Sequence, residues 1–310
     1  MIKKEEKYGR IIVTSGSRYI DIDAYAACVV YANILKKLGF DAYAYSEATL
    51  NESVPESIFS MKMINNNYNY KDEDSFIVLD VSDPKYLDSI INQSKIIEVI
   101  DHHFGFEEYW KSKLGEYAII EPIGAVATII AEYAIKTNYI DEMSREEALL
   151  LIGAILDNTL NLKAKITTRR DINAYKLLLE KAQFNNFDKF YFKECEKSIL
   201  NDISSYIKLD TKFGSDETLP KYFSQIVLYD KTIIEDKYEE IIRELEKFGK
   251  DWIINIIELN EGKSFIYSIN REPQEKMERL FNKKFNSNNI IELDGLYLRK
   301  EIIKLAKEMK

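Results

Sequence analysis

Short apolar runs rich in β-branched residues alternate with longer segments of helical periodicity through the first half of the sequence. The runs fall at residues 10–15, 41–46, 76–81, 96–101 and 117–122, and the helical segments at 24–38, 125–136, 145–157 and 169–182. Several runs are apolar at nearly every position, which is typical of strands covered by helices on both faces. The alternation therefore predicts an α/β fold with a doubly wound, mostly parallel sheet.

Two of these helices have a recognisable start. Ser144 followed by Glu147 forms a capping box, in which the hydroxyl and the carboxylate bond reciprocally to the backbone. Thr167 and Thr168 precede Arg169 and offer a hydroxyl N-cap.

A second pattern follows a break in periodicity at residues 185–202, which we interpret as an inter-domain connection. Beyond it lie a strand at 225–229, a helix at 238–248, strand-like runs at 252–259 and 264–269 joined by a turn at 260–263, and helices at 275–282 and 299–309. We expect two domains, 1–190 and 200–310, the second a smaller α/β domain with a mixed sheet, and a cleft between them.

Composition excludes several classes of protein. The 310 residues are 46% hydrophobic and carry a formal net charge of −9, which argues against binding of duplex nucleic acid, since that depends on Lys and Arg. The longest apolar stretch, 148–156, is shorter than the roughly 20 residues that span a bilayer. No apolar segment follows the basic N-terminus, so a secretory signal is not expected. We expect a cytoplasmic protein without a membrane partner, with Cys28 and Cys195 reduced.

Acidic residues and both histidines of the chain follow the predicted strands. They are Asp21 and Asp23 after the first strand, Asp80 at the end of the third, and Asp101, His102 and His103 at the end of the fourth. The carboxyl ends of parallel strands share one edge, where ligands bind near a topological switch point. Such a cluster suits Mn²⁺ or Mg²⁺, and like-charged carboxylates tolerate proximity chiefly when a cation intervenes. The alternative for Asp23 alone is a helix N-cap.

These motifs, in this order, resemble those of the DHH phosphoesterase superfamily. The segment 152–159, followed by Lys163 and by Thr167 and Thr168, is similar to the family's later helix-end motif. The chain has no histidine after His103 and no late glycine cluster, unlike the oligonucleotide and cyclic-dinucleotide phosphodiesterases. Arg299 and Lys300, and more weakly Lys212, instead resemble residues of manganese-dependent (family II) inorganic pyrophosphatases and prune-like exopolyphosphatases.

The resemblance implies a site. Metal ligands would be Asp21, Asp23, Asp80, His102 and either Asp157 or Asn158. Asp80 and His103 would serve catalysis, with His103 donating to a phosphate or leaving oxygen and Asp101 orienting a histidine. Arg299, Lys300, Lys212 and His103 would contact substrate. Arg18 is a further candidate for a contact with phosphate because it follows the turn at residues 15–17, and not because of the resemblance. Without the resemblance, an Arg-Lys pair on a helix is more often simply solvated, and His103 has the alternative of a loop residue without function.

The resemblance also implies a cofactor and partners. The cofactor would be a divalent metal, Mn²⁺ in the first place with Mg²⁺ or Co²⁺ as alternatives, bound as one or two ions. The partner would be inorganic pyrophosphate or polyphosphate or a small phosphorylated compound, and a homodimer is plausible.

Two positions depart from the family pattern. Ser17 occupies the place of a ligating histidine, and the family's ligating aspartate in the helix-end motif aligns best with Asn158, one residue after Asp157. One helical position is a rotation of about 100°.

We therefore carry two hypotheses. The first is a phosphohydrolase acting on a phosphoanhydride or phosphoester. The second is a weak or inactive relative on the same scaffold that binds a phosphorylated metabolite or nucleotide.

Overall fold

The structure, a computed structural model, describes residues 2, 8–17, 19–51, 54–55, 68–214 and 216–309. The chain forms two compact units, Met1–Asp188 and Lys189–Lys310. No helix among these described residues is long and apolar enough to cross a membrane.

The first unit is built on a parallel sheet of five strands. They are β1 (Ile11–Thr14), β3 (Ala42–Ala44), β5 (Ser75–Leu79), β6 (Ile96–Asp101) and β7 (Ala118–Ile120), in the order β3-β1-β5-β6-β7. A small parallel pair, β2 (Tyr19–Ile20) with β4 (Thr49–Leu50), lies beside it. The central strands are buried along nearly their whole length, and the predicted doubly wound α/β fold is confirmed.

The helices of this unit are α1 (Ile22–Lys37), α2 (Glu107–Leu114), α3 (Val126–Lys136), α4 (Arg145–Asn158) and α5 (Arg169–Ala182). Local signals explain several of their starts. Ser144 and Glu147 form the predicted capping box, and Thr168 caps α5 in a second box with Asp171. Both predicted helix starts are confirmed.

The second unit contains a mixed sheet of five strands. They are β8 (Lys212–Phe213), β9 (Tyr222–Leu228), β10 (Trp252–Glu258), β11 (Lys263–Tyr267) and β12 (Ile290–Asp294), in the order β12-β11-β10-β9-β8. Only β9 and β10 pair in parallel. Its helices are α7 (Ile203–Asp210), α8 (Tyr238–Glu246), α9 (Arg271–Phe281) and α10 (Arg299–Glu308). Separate apolar clusters cover the two faces of this sheet.

The segment interpreted as a connection is a helix, α6 (Phe187–Asn201), and the boundary between the units falls inside it. Its aromatic residues are what conceal the periodicity in the sequence. The buried side chains recur at helical spacing, at Phe187, Tyr191, Phe192, Cys195 and Ile199.

Candidate metal centre

The sheet order of the first unit creates the site. The chain winds from β1 to the outer strand β3, then returns to the other side of β1 with β5, β6 and β7. The reversal between β1 and β5 is a topological switch point, where crossing connections leave a crevice at the carboxyl ends of the strands. Asp80 follows β5, and Asp101 ends β6.

Asp21 and Asp23 belong to the first turn of α1. Asp21 is the N-cap and accepts a hydrogen bond from the Ala24 amide at 3.0 Å. Asp23 is fully buried and caps another helix, α3, by accepting from the amides of Val126 and Ala127, each at 2.8 Å. Burial is the main cause that raises the pKa of Asp23, to about 6, and the charge of Asp21 adds to the rise.

Asp80 occupies a strained position at the centre of the site. Its φ of 59° lies in the left-handed region, which Asp tolerates better than most residues. Its side chain is 5% exposed, and its Oδ1 atom is buried without a hydrogen-bond partner among the described residues. Burial, followed by the charges of Asp21 and Asp23, raises the pKa of Asp80 well above its ordinary value. Such an atom is poorly accommodated unless a cation or a proton meets it.

His102 directs a lone pair at the same place. Its Nδ1 lies 3.0 Å from the carbonyl oxygen of Ile123, and because a carbonyl only accepts, Nδ1 carries the proton. In the neutral ring Nε2 is then an acceptor, and it lies 3.3 Å from Asp80 Oδ1. Two acceptors thus face each other in a buried setting, which favours a shared cation. A backbone carbonyl that fixes the tautomer is typical of histidines that ligate metals.

His103 is oriented by Asp101 and stays accessible. The Oδ1 atom of Asp101 accepts from the backbone amides of His102 and His103, at 2.7 and 3.2 Å, and lies 2.8 Å from His103 Nδ1. Burial by itself lowers the pKa of His103, but Asp101 and Asp80 outweigh it and the net shift is upward. The pKa of Asp101 is lowered, because the hydrogen bond and charge of His103 outweigh the effect of burial, which by itself raises it. The His103 side chain is 57% exposed, so it can reach a ligand.

The donor set fits a divalent ion. One ligand atom each from Asp80, His102 and His103 falls within 4.8 Å of the others. Carboxylate oxygen and imidazole nitrogen together suit Mn²⁺ and similar ions.

At the end of α4, Asn158 touches this cluster. Its Nδ2 donates to Asp23 Oδ2 at 2.6 Å, and α4 is regular through Asn158. Ser17 is exposed, and its backbone amide donates to the Tyr86 carbonyl at 2.8 Å. The three hydrogen bonds that the Asp23 carboxylate accepts leave about one of its four lone-pair positions for a cation.

The remaining sequence-predicted residues belong to the second unit or lie outside the described residues. Arg299 is the first residue of α10, and Lys300 is exposed beside it. Lys212 opens β8. Arg18 lies outside the described residues.

One supporting segment was missed by the sequence interpretation. Residues 123–128 comprise the end of the loop between β7 and α3 and the first turn of α3. They are fixed to the site, since the Ile123 carbonyl accepts a hydrogen bond from His102. Asp171 accepts from the Gly124 amide at 3.1 Å and from the Thr128 hydroxyl at 2.6 Å. The signal available in the sequence was the spacing of Thr168 and Asp171, which predicts a cap but not this distant contact.

Comparisons with known proteins find relatives that match most of this chain. A manganese-dependent inorganic pyrophosphatase of Methanocaldococcus jannaschii is 28% identical over 242 residues, covering 73% of this chain and 76% of that protein. One from Bacillus subtilis is 24% identical over 302 residues, covering 94% of this chain and 95% of that protein.

Solved structures show the same fold. A Methanococcus jannaschii protein assigned to the family II inorganic pyrophosphatases superposes with a TM-score of 0.66 at 24% identity, covering 96% of this chain and 98% of that one. An exopolyphosphatase-related protein from Bacteroides fragilis gives 0.52 at 14% identity, covering 96% and 91%. The DHH family, N-terminal domain, matches residues 10–155, the segment that carries every Asp and His of the cluster. Residues 10–155, within the first unit, therefore belong to the DHH family, N-terminal domain.

Proposed function

We propose that this chain is a metal-dependent phosphohydrolase that acts on a phosphoanhydride or phosphoester, with inorganic pyrophosphate and polyphosphate as the first substrates to test. The observation that carries the proposal is the buried pair of acceptors, Asp80 Oδ1 and His102 Nε2, at 3.3 Å. The pyrophosphatases named among its relatives support the same substrate class.

Asp80 and His102 would hold the ion, with Asp21 beside them. Asp23, and Asp157 or Asn158, would complete a second position if one forms. We expect Mn²⁺ first, and Mg²⁺ or Co²⁺ as substitutes. When bound, such an ion acidifies a coordinated water and offsets charge on the phosphoryl oxygens.

The protein groups would supply orientation and a proton. His103 keeps Nδ1 against Asp101, so Nε2 is the nitrogen left to meet a substrate oxygen. The raised pKa of His103 keeps the ring protonated to higher pH, which suits a donor to a phosphate or to the leaving oxygen. Arg299, Lys300, Lys212 and Arg18 are proposed to contact phosphate as well, because guanidinium and ammonium groups complement its charge.

A second candidate function is binding of a phosphorylated metabolite or nucleotide without turnover. It is favoured by the hydrogen bond from Asn158 to Asp23, together with Ser17 at a position where the family pattern has histidine. Both changes remove ligands, and loss of one ion of a pair would leave a site able to bind phosphate with little chemistry.

Phosphate release separates the two candidates. The chain is incubated with Mn²⁺, Mg²⁺ or Co²⁺ and pyrophosphate, polyphosphate or small nucleotides, beside the variants Asp80→Asn and His103→Gln. Asp83→Asn, the same change three residues along the chain, is the matched control and should retain wild-type rates. Turnover that Asp80→Asn abolishes supports the hydrolase. Metal binding and ligand-induced thermal stabilisation without release of phosphate would instead favour the binding protein.

A further inference from the structure

The guanidinium of Arg299 is fixed to one carboxylate, that of Asp210 at the end of α7. Nη1 donates to Asp210 Oδ2 at 2.9 Å and Nη2 donates to Oδ1 at 3.0 Å, so the two planar groups meet end to end. Nη1 also donates to the carbonyls of Asp210 and Phe223, at 2.9 and 2.7 Å. This geometry is bidentate and fixes the plane of the guanidinium group.

The backbone of Arg299 is held by the same group of residues. Its amide donates to Gln225 Oε1 at 2.6 Å, and the Gln225 amide donates to Asp210 Oδ2 at 2.6 Å. Asp210, Gln225 and Arg299 therefore form a closed ring of hydrogen bonds between α7, β9 and the start of α10. The Arg299 side chain is 16% exposed and that of Asp210 is 20% exposed, so solvent still reaches the pair.

One edge of the guanidinium remains available. The group has five N–H donors, and those used here are on Nη1 and on one side of Nη2. Nε–H and the second Nη2–H point the same way, along the edge opposite the Nη1 contacts, and in the described part of the chain they donate to no acceptor. That edge is itself a fork that matches two oxygens of a phosphate.

We propose that Asp210 is a positioning residue, which holds Arg299 end-on so that its Nε–Nη2 edge receives a phosphate oxygen pair. The proposal rests on the proposed function in one respect, that Arg299 contacts phosphate. When a ligand must order an arginine side chain, the lost side-chain entropy weakens binding. The ring of hydrogen bonds orders Arg299 before the ligand arrives, so this loss does not occur on binding.

Simple electrostatics predicts the opposite effect of a mutation. Asp210 neutralises Arg299, so Asp210→Asn should tighten phosphate binding if charge alone mattered. If Asp210 positions the guanidinium, Asp210→Asn should weaken binding by about threefold to tenfold, the range expected when a ligand must itself order one long side chain. The sign of the change distinguishes the two accounts.

The experiment titrates inorganic phosphate into the full chain in the presence of Mg²⁺ by calorimetry. Asp210→Asn should weaken binding as stated, and Arg299→Lys should also weaken it, because an ammonium lacks the planar fork. Asp210→Asn should have no further effect in the Arg299→Lys background. Glu275→Gln is the matched control, since it removes the same charge from the exposed pair with Arg271 at the start of α9, and should leave binding unchanged.

A second measurement uses the wild-type chain, so it holds even if Asp210→Asn fails to fold. The Nε–Hε resonance of Arg299, identified by its loss in Arg299→Lys, should shift when phosphate is added. An unmoved resonance, an absence of phosphate binding, or tighter binding by Asp210→Asn overturns the proposal. Hydrolysis is scored separately. A shifted resonance without turnover would support the role of Asp210 and contradict the proposed function. Turnover with an unmoved resonance would support the proposed function and contradict the role of Asp210.

Discussion

Replacing Gly124 with alanine would place a methyl group in space that two side chains already fill. The added Cβ would lie 2.6 Å from Thr159 Cγ2 and 2.8 Å from Asp171 Oδ2, both below any ordinary contact. The backbone cannot move freely to relieve the overlap, because the Gly124 amide donates to Asp171 and the adjacent Ile123 carbonyl accepts from His102. Relief must therefore displace the segment that orients His102.

The size of the effect follows from these contacts. Overpacking a buried position costs about 1–3 kcal/mol. Losing the hydrogen bond from Gly124 to Asp171 adds about 1–3 kcal/mol, because the groups left behind are buried. We expect Gly124→Ala to lower the free energy of unfolding of the first unit by about 2–6 kcal/mol. Metal affinity should fall by about tenfold to a hundredfold, as when the partner that orients a ligating histidine is removed.

The assay is urea unfolding followed by tryptophan fluorescence. The chain has two tryptophans, Trp110 in the first unit and Trp252 in the second, so a Trp252→Phe background makes the signal report the first unit. Metal affinity is measured by calorimetry with Mn²⁺.

Two companion variants sharpen the comparison. Gly214→Ala adds the same methyl group where no atom of the described residues, chain neighbours aside, lies within 4 Å, and it should leave stability and affinity unchanged. Thr159→Ser removes Cγ2 but keeps the hydroxyl that bonds to Ile155, and should restore part of the loss. Wild-type stability and Mn²⁺ affinity in Gly124→Ala would refute the reasoning.

Two further predictions follow from the site and one from the buried core. Because burial raises the pKa of Asp23 to about 6 and that of Asp80 also lies above its ordinary value, protons compete with the ion in acid. Mn²⁺ affinity measured by calorimetry should therefore fall as the pH drops below about 6, and a constant affinity between pH 7 and 5 would count against this. Asn158→Asp replaces the donor that faces Asp23 Oδ2 with a carboxylate, so Mn²⁺ should raise the unfolding temperature of this variant by more than that of the wild type. An equal rise in both proteins would argue against Asn158 as the position of the family's ligating aspartate. Tyr31→Phe removes the hydroxyl that donates to buried Glu98 at 2.5 Å and should cost about 1–3 kcal/mol in urea unfolding, whereas an unchanged midpoint would show that Glu98 finds another donor.

Local patterns gave reliable predictions of the fold. The capping box of Ser144 and the helix at Arg169–Ala182 need only neighbouring residues, and the structure has both. The parallel sheet followed from apolar strands alternating with helices, because each strand must be covered on both faces. The strands β8 and β12 were not predicted. Both lie at the edges of the mixed sheet, where β8 has no buried residue and β12 alternates buried with exposed residues.

Contacts between residues distant in sequence were harder to foresee. Asp23 caps a helix that begins 103 residues later, and Arg299 pairs with a carboxylate 89 residues away. Both residues were recognised as candidate site residues, but the sequence carries no sign of which partner each will contact. The choice between Asp157 and Asn158 is of the same kind, because it depends on the rotation of α4 relative to α1.

The central claim is that the carboxylate of Asp80 and the Nε2 atom of His102 are arranged around a cation. The most direct test is anomalous diffraction at the manganese edge from crystals of the chain grown with Mn²⁺. The structure predicts a strong anomalous peak between Asp80 and His102. Crystals saturated with Mn²⁺ that show no peak there, or that place a Lys or Arg side chain between the two residues, would contradict the claim.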